Sequence, residues 1–205
     1  MGKIAVYIHG KDGNIKEAEH YKPLFPKYDV QGFDYKAQTP WEAKEEFPSA
    51  IRPLCREYES VILIANSIGA YFALHSLAGQ RIEKAFLISP IVDMEKLIVQ
   101  MMAQEGITEE ELEKRKEIYT SCGEKLSWEY LCYVRANPFT WDIPTEVLYG
   151  EHDHMTSCET ISAFAGLTGA GLTVMEGGEH WFHTKEQMAF LDAWISRLRG
   201  WNLYF

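Results

Sequence analysis

The segment VILIANSIG, residues 61–69, decides the fold of this chain. Its first five residues are apolar and mostly β-branched, which is typical of a strand buried on both faces. Ile68 to Leu77 then carries apolar side chains on every face, which predicts a buried helix. Ser67 therefore stands at a turn between a buried strand and a buried helix. The small residues Ala65 and Gly69 flank it, as expected where two backbones pass close together.

Strand and helix patterns alternate on both sides of this segment. Capping patterns at Thr39–Glu42 and Thr184–Gln187 predict two helix starts, and Pro48 and Pro53 are expected to break or restart the first helix. The alternation predicts an α/β fold with a mainly parallel sheet of about six strands and helices on both faces. The predicted strands are Lys3–Ile8, Asp29–Tyr35, Val61–Ala65, Ala85–Ser89, Glu146–Tyr149 and Leu172–Met175.

Residues 93–137 depart from this alternation. They hold three helical patterns and no good strand, and the segment is long for a single crossover. We interpret it as a helical lid inserted into a single domain of residues 1–200, with ordinary crossover helices as the alternative. Residues 202–205 resemble part of a protease-cleavage tag and receive no functional weight. The helical patterns are Met94–Gln104, Glu109–Tyr119 and Trp128–Ala136.

The composition excludes several classes of partner. The net charge of −10 repels phosphate backbones, so we expect no nucleic-acid partner. The apolar runs are too short to span a bilayer, and no signal-peptide pattern follows the first residues. Four scattered cysteines suggest reduced thiols, and we expect a cytoplasmic protein. These cysteines are Cys55, Cys122, Cys132 and Cys158.

Two further residues fall on loops at the same sheet edge as Ser67. Asp153 follows the strand Glu146–Tyr149, and His180 follows the last strand. A serine hydroxyl needs a base to act as a nucleophile, and histidine suits that role near neutral pH. A carboxylate then fixes the histidine tautomer. The alternative for Ser67 is a capping serine, which any α/β protein can have at such a turn.

The whole pattern resembles the α/β-hydrolase family over nearly the full chain. The matching segments are His9-Gly10, Ala65–Gly69, Tyr149–Asp153 and Gly178–His180. Ala65 replaces the first glycine of the usual Gly-x-Ser-x-Gly pattern. A serine nucleophile also differs from the carboxylate nucleophile of dehalogenases and epoxide hydrolases.

The resemblance implies a role for each candidate residue. Ser67 would be the nucleophile, His180 the general base and Asp153 the acid that orients it. The backbone N–H groups of Lys11 and Ile68 would form the oxyanion hole. Neither a cofactor nor a metal is expected.

Other assignments stay open at this point. His183 is an alternative base, and Asp93 or Glu151 is an alternative acid. His152 and His154 flank Asp153 and could bind a metal. In the predicted lid, Trp128, Tyr130 and Tyr133 could line an acyl pocket or pack the lid onto the core.

The expected function is hydrolysis of a small carboxylic ester or related acyl compound through an acyl-enzyme. Thioesterase, amidase or peptidase and acyltransferase activities would use the same triad. A non-catalytic binding protein with the same fold is the alternative from another class. The expected partner is a small acyl substrate, and the chain is expected to be a monomer or a homodimer.

Overall fold

A computed structural model describes residues 2–199, so the tag-like residues 202–205 lie outside the described part of the chain. Eight strands are present within it. They are β1 (Lys3–Ile8), β2 (Asp29–Gly32), β3 (Ser60–Asn66), β4 (Lys84–Ile88), β5 (Glu117–Tyr119), β6 (Lys125–Ser127), β7 (Thr145–Gly150) and β8 (Gly171–Met175).

The same residues form eight α-helices and two short 3₁₀ turns. The helices are α1 (Ala18–Tyr21), α2 (Pro40–Glu57), α3 (Ser67–Ser76), α4 (Met94–Glu105), α5 (Glu109–Arg115), α6 (Trp128–Ala136), α7 (Cys158–Thr168) and α8 (Lys185–Arg199). The 3₁₀ turns are Ile15–Glu17 and Lys22–Leu24.

Six strands form the central sheet in the order β2-β1-β3-β4-β7-β8. Every neighbouring pair in it is parallel, from residue 3 to residue 175. On one face, α8 packs against the sheet through Trp194, whose ring meets Phe86 edge to face at 5.6 Å. On the other, α3 lies against Ile8 at Gly69. The expected parallel sheet flanked by helices is confirmed.

The second strand is shorter than predicted. It ends at Gly32 rather than at Tyr35 because Tyr7 is the last residue of β1 that pairs with it. Phe33 donates one more hydrogen bond to the Tyr7 carbonyl at 2.8 Å, and the chain then leaves the sheet. The Tyr35 side chain instead reaches the loop after β1, where its hydroxyl donates to the His9 carbonyl at 2.9 Å.

The prediction that prolines interrupt the first long helix is wrong. Helix α2 runs unbroken across Pro48 and Pro53. One of its faces buries Ala43, Phe47, Ile51 and Cys55, and Phe47 meets Phe72 of α3 edge to face at 6.2 Å. This packing outweighs the local cost of a proline, about 3 kcal/mol in a helix interior.

The prediction of no strand within residues 93–137 is also wrong. The helical pattern Glu109–Tyr119 ends at Arg115, because Lys116 adopts a left-handed φ of 68°. β5 and β6 follow as an antiparallel hairpin. Residues Asp93–Phe139 form a compact unit of their own. Within it, Arg135 binds Glu95 and Glu109 at 2.7 Å and so joins α6 to α4 and α5. The role of this segment as a lid stays a prediction.

No helix in the described residues is long and apolar enough to cross a membrane.

The prolines of α2 give a test of the packing argument. Pro53 is exposed and cannot donate to the Ser49 carbonyl. We expect Pro53→Ala to raise the free energy of unfolding by about 1–3 kcal/mol, since it restores that hydrogen bond. Phe47→Ala should lower it by about 3–5 kcal/mol, since it removes a buried ring. Chemical denaturation measures both, and a destabilising Pro53→Ala would contradict this account of the helix.

Candidate active site

Ser67 sits on a strained turn between β3 and α3. Its φ is 51°, a left-handed value that non-glycine residues rarely adopt. Glycine at position 69 allows the turn to pack against the loop after β1, because a Cβ added there would lie 2.2 Å from the His9 carbonyl oxygen. Gly10 is also close, since a Cβ there would lie 3.2 Å from the Cβ of Ser67. The turn therefore holds Ser67 beside the loop that follows β1.

The three residues selected from the sequence form one hydrogen-bonded chain. Ser67 Oγ lies 2.8 Å from His180 Nε2, and His180 Nδ1 lies 2.7 Å from Asp153 Oδ2. The Asp153 side chain is fully buried and that of His180 is 14% exposed. A carboxylate can only accept, so Nδ1 carries the proton. Nε2 is then free to accept the hydroxyl proton of Ser67, which is the arrangement of a nucleophile with its base.

Backbone donors hold the Asp153 carboxylate. Its Oδ1 accepts from the N–H groups of Met155 at 2.8 Å and Thr156 at 3.1 Å. The Thr156 carbonyl in turn accepts from the Tyr149 hydroxyl at 2.9 Å. Burial, together with nearby Asp153 and Cys158, raises the pKa of Tyr149 to about 12, so the hydroxyl keeps its proton. These bonds fix the carboxylate that orients His180.

The loops that carry Asp153 and His180 are bound to each other. The N–H of His152 donates to the Gly178 carbonyl at 2.7 Å. The lack of a side chain at Gly150 allows the two loops to approach this closely, because a Cβ there would lie 2.5 Å from the Glu179 carbonyl oxygen. The acid and the base therefore keep a fixed separation.

The two predicted oxyanion donors lie on either side of the nucleophile turn. Ile68 follows Ser67 in the first turn of α3, where N–H groups lack an acceptor within the helix. Lys11 lies in a turn closed by a 3.2 Å bond from Gly13 N–H to the Gly10 carbonyl, with Asp12 at a φ of 59°. Gly10 brings this turn next to Ser67. The oxyanion roles of Lys11 and Ile68 remain predictions.

The sequence reasoning missed the segment after β4. Ser89 is fully buried with a φ of 43°. Pro90 accepts a hydrogen bond from Thr156 Oγ1 at 3.2 Å, and Ile91 N–H donates to the Ser67 carbonyl at 3.3 Å. The segment therefore links the nucleophile turn to the acid loop. The only available signal was a proline at a strand end, which does not specify such contacts.

The alternative base and acids have other hydrogen-bond partners. His183 Nδ1 lies 2.8 Å from the Trp181 carbonyl, and its ring stacks on Trp181. Asp93 caps α4 by accepting from Lys96 N–H at 2.9 Å. Glu151 accepts from Gly177 N–H at 2.9 Å. None of these contacts joins the chain of Ser67, His180 and Asp153.

The remaining candidates concern metals and the predicted lid. Across residues 2–199, no three His, Cys, Asp or Glu side chains are grouped as metal ligands. His154, one of the two histidines beside Asp153, meets the His180 ring edge to face with centroids 6.1 Å apart. Trp128, Tyr130 and Tyr133 are half-buried on α6, and burial raises the pKa of Tyr130. Their part in an acyl pocket stays a prediction.

Solved structures share this fold. Mouse alpha/beta hydrolase domain-containing protein 10 superposes with a TM-score of 0.77 at 17% identity, covering 98% of this chain and 91% of the mouse chain. Est1E from Butyrivibrio proteoclasticus gives 0.73 at 14% identity, covering 97% and 87%. The Pyrococcus furiosus esterase PF2001 gives 0.63 at 18% identity, covering 97% and 80%. The chain has the α/β-hydrolase fold, as the sequence resemblance implied.

Sequence similarity covers a smaller part of the chain. A Mycoplasma genitalium protein with the proposed name esterase/lipase 3 is 32% identical over 80 residues. The matched segment spans 38% of this chain and 29% of that relative. No protein-family model matches the sequence.

Gly69 gives a direct test of the close approach at the nucleophile turn. We expect Gly69→Ala to lower the free energy of unfolding by about 1–3 kcal/mol, because the new Cβ forces the turn away from the His9 carbonyl. Gly166→Ala is the matched control, since a Cβ there meets nothing within 4 Å. In helix α7 it should stabilise by about 0.5–1 kcal/mol. Equal effects of the two substitutions on thermal unfolding would argue against this close approach.

Asp153→Asn tests the orienting carboxylate. The amide NH₂ would face His180 Nδ1 and favour the tautomer with the proton on Nε2, which cannot accept from Ser67. We expect kcat for ester hydrolysis to fall by about three to four orders of magnitude with KM little changed. Asp93→Asn, which keeps a helix-capping residue at its position, should leave kcat unchanged. Steady-state kinetics of both variants decide the point, and full activity of Asp153→Asn would remove Asp153 from the proposed triad.

Proposed function

We propose that this protein is a serine hydrolase that cleaves a small carboxylic ester through an acyl-enzyme intermediate. The observation that carries the proposal is the continuous chain from Ser67 Oγ through His180 to the buried Asp153 carboxylate. Such a chain activates a serine hydroxyl, which is otherwise a weak nucleophile at neutral pH.

The proposed reaction has two halves. In the first, Ser67 Oγ attacks the ester carbonyl while His180 Nε2 takes its proton. The oxyanion accepts from the N–H groups of Lys11 and Ile68, and His180 then protonates the leaving alcohol. In the second half, His180 activates water, which releases the acid and restores Ser67. This sequence requires neither a cofactor nor a metal.

The helix that follows Ser67 supports the same chemistry. A helix N-terminus carries partial positive charge, which favours an anion that forms beside it. α3 is buried from Gly69 to His75, and Ser67 and Ile68 in its first turn are half-buried. The left-handed φ of Ser67 belongs to a sharp strand-to-helix turn, which places the nucleophile at the N-terminus of α3.

The relatives support an ester as the substrate. The Pyrococcus furiosus structure is named an esterase, and the Mycoplasma genitalium protein has the proposed name esterase/lipase 3. Thioesters, amides and acyl transfer would use the same triad, so a substrate panel has to separate them. A binding protein that kept the fold is the alternative from another class.

Hydrolysis of p-nitrophenyl esters from acetyl to decanoyl tests the proposal. We expect wild-type turnover, and a loss of at least about three orders of magnitude in Ser67→Ala. Ser76→Ala is the matched control, since Ser76 lies at the far end of the same helix and donates to the Phe72 carbonyl. The chain-length optimum would report the size of the acyl pocket.

A fluorophosphonate probe separates the enzyme from the binding protein. It should label Ser67 in the wild type and in Ser76→Ala, and leave Ser67→Ala unlabelled. Absence of both turnover and labelling in the wild type would overturn the hydrolase proposal.

A further inference from the structure

The turn that carries Lys11 is tied to the central sheet, and we infer that Glu17 and Tyr7 are positioning residues for oxyanion binding. Together with Asn14 they form what we call the loop clamp. The inference rests on the proposed function, because an oxyanion forms only if Ser67 attacks a carbonyl. It assigns a role to residues that lie outside the triad and its oxyanion donors.

The Glu17 carboxylate is the centre of the loop clamp. Its Oε2 accepts a short hydrogen bond from the Tyr7 hydroxyl, and its Oε1 accepts from the N–H of Asn14 at 3.1 Å. Gly13 packs directly onto it, since a Cβ there would lie 3.0 Å from Glu17 Oε1. The carboxylate therefore fixes Gly13, the last residue of the Lys11 turn, and Asn14, which follows it.

Tyr7 links this carboxylate to the central sheet. It lies in β1, is 2% exposed, and stacks on Tyr21 with ring centroids 5.1 Å apart. Burial raises the pKa of Tyr7, and the Tyr21 and Glu17 side chains raise it further. The hydroxyl therefore keeps its proton at neutral pH and remains the donor to Glu17.

The other end of the loop has its own anchors. The His9 carbonyl accepts a hydrogen bond from the Tyr35 hydroxyl at 2.9 Å. The imidazole ring of His9 also stacks on the Tyr35 ring, with centroids 4.4 Å apart. The same carbonyl touches Gly69 in the nucleophile turn. Lys11 lies between these anchors and the loop clamp, so both must hold for its N–H to keep a fixed position relative to Ser67.

We expect loss of the loop clamp to lower kcat, because stabilisation of the oxyanion depends on the exact position of its N–H donors. Loss of one oxyanion donor costs about 10²–10³ in kcat, and a displacement of about 1 Å can cost about 10²-fold. The first turn after Asn14 would survive loss of the Tyr7 hydroxyl, because Asn14 Oδ1 still accepts from Lys16 N–H at 3.0 Å. The Tyr7–Glu17 bond therefore serves to join the loop to the sheet.

Three variants test the loop clamp. Tyr7→Phe and Glu17→Ala should each lower kcat by about 10–100-fold with KM within about twofold, because they displace a donor rather than remove it. Glu17→Gln should recover most of the activity. Its Oε1 can accept from Asn14 N–H, while its amide donates to the Tyr7 oxygen. If only the negative charge of Glu17 mattered, Glu17→Gln and Glu17→Ala would lower kcat equally.

A boronic acid inhibitor provides a readout that a merely structural role would not move. It forms a tetrahedral adduct on Ser67 whose oxygen occupies the oxyanion hole. Its inhibition constant should rise in Tyr7→Phe and Glu17→Ala by the same factor as kcat/KM falls. Tyr58→Phe is the matched control, since it removes a tyrosine–carboxylate bond to Asp29 at the opposite end of β2 from the site.

The outcomes separate the two proposals. Wild-type turnover with unchanged kcat and inhibition constants in Tyr7→Phe and Glu17→Ala would overturn the loop clamp alone. Wild-type protein without turnover or fluorophosphonate labelling would overturn the hydrolase proposal and the loop clamp with it. Parallel losses in kcat and inhibitor affinity, with Glu17→Gln recovered and Tyr58→Phe unaffected, would support the clamp.

Discussion

The site depends on one close approach between backbones, that of Gly69 to the His9 carbonyl. A Cβ at position 69 would lie 2.2 Å from that oxygen, so only glycine allows the contact without a shift. The approach joins two loops that are distant in the sequence, since His9 and Gly69 are 60 residues apart. It sets the Ser67 turn beside the Gly10–Gly13 turn, where the proposed reaction needs a nucleophile and an N–H donor together.

Parallel strand topology accounts for the rest of the assembly. β3, β7 and β8 run in the same direction, so the loops after them meet at one sheet edge. Ser67, Asp153 and His180 follow these three strands in turn. The strand pattern predicts that these loops share an edge, and the family resemblance then selects Ser67, Asp153 and His180 among the side chains on them.

Other features could not be read from the sequence because they depend on packing between distant segments. α2 continues through Pro48 and Pro53 since its buried face rests on α3. The hairpin of β5 and β6 has three-residue strands, too short for a periodic pattern to identify. The bonds of Glu17 and Thr156 join side chains to loop backbone, and a residue type does not reveal which backbone group it will meet.

Strain at the site is tolerated because its loops hold one another. Ser67 and Ser89 both have left-handed φ values, 51° and 43°, and such residues cost about 1–3 kcal/mol each. The segment after Ser89 binds the nucleophile turn through Ile91 N–H and the acid loop through the Pro90 carbonyl. The acid loop binds the base loop through His152 N–H. Relaxing either serine would therefore break bonds to a neighbouring loop, so the strained turn and the hydrogen-bonded triad persist together.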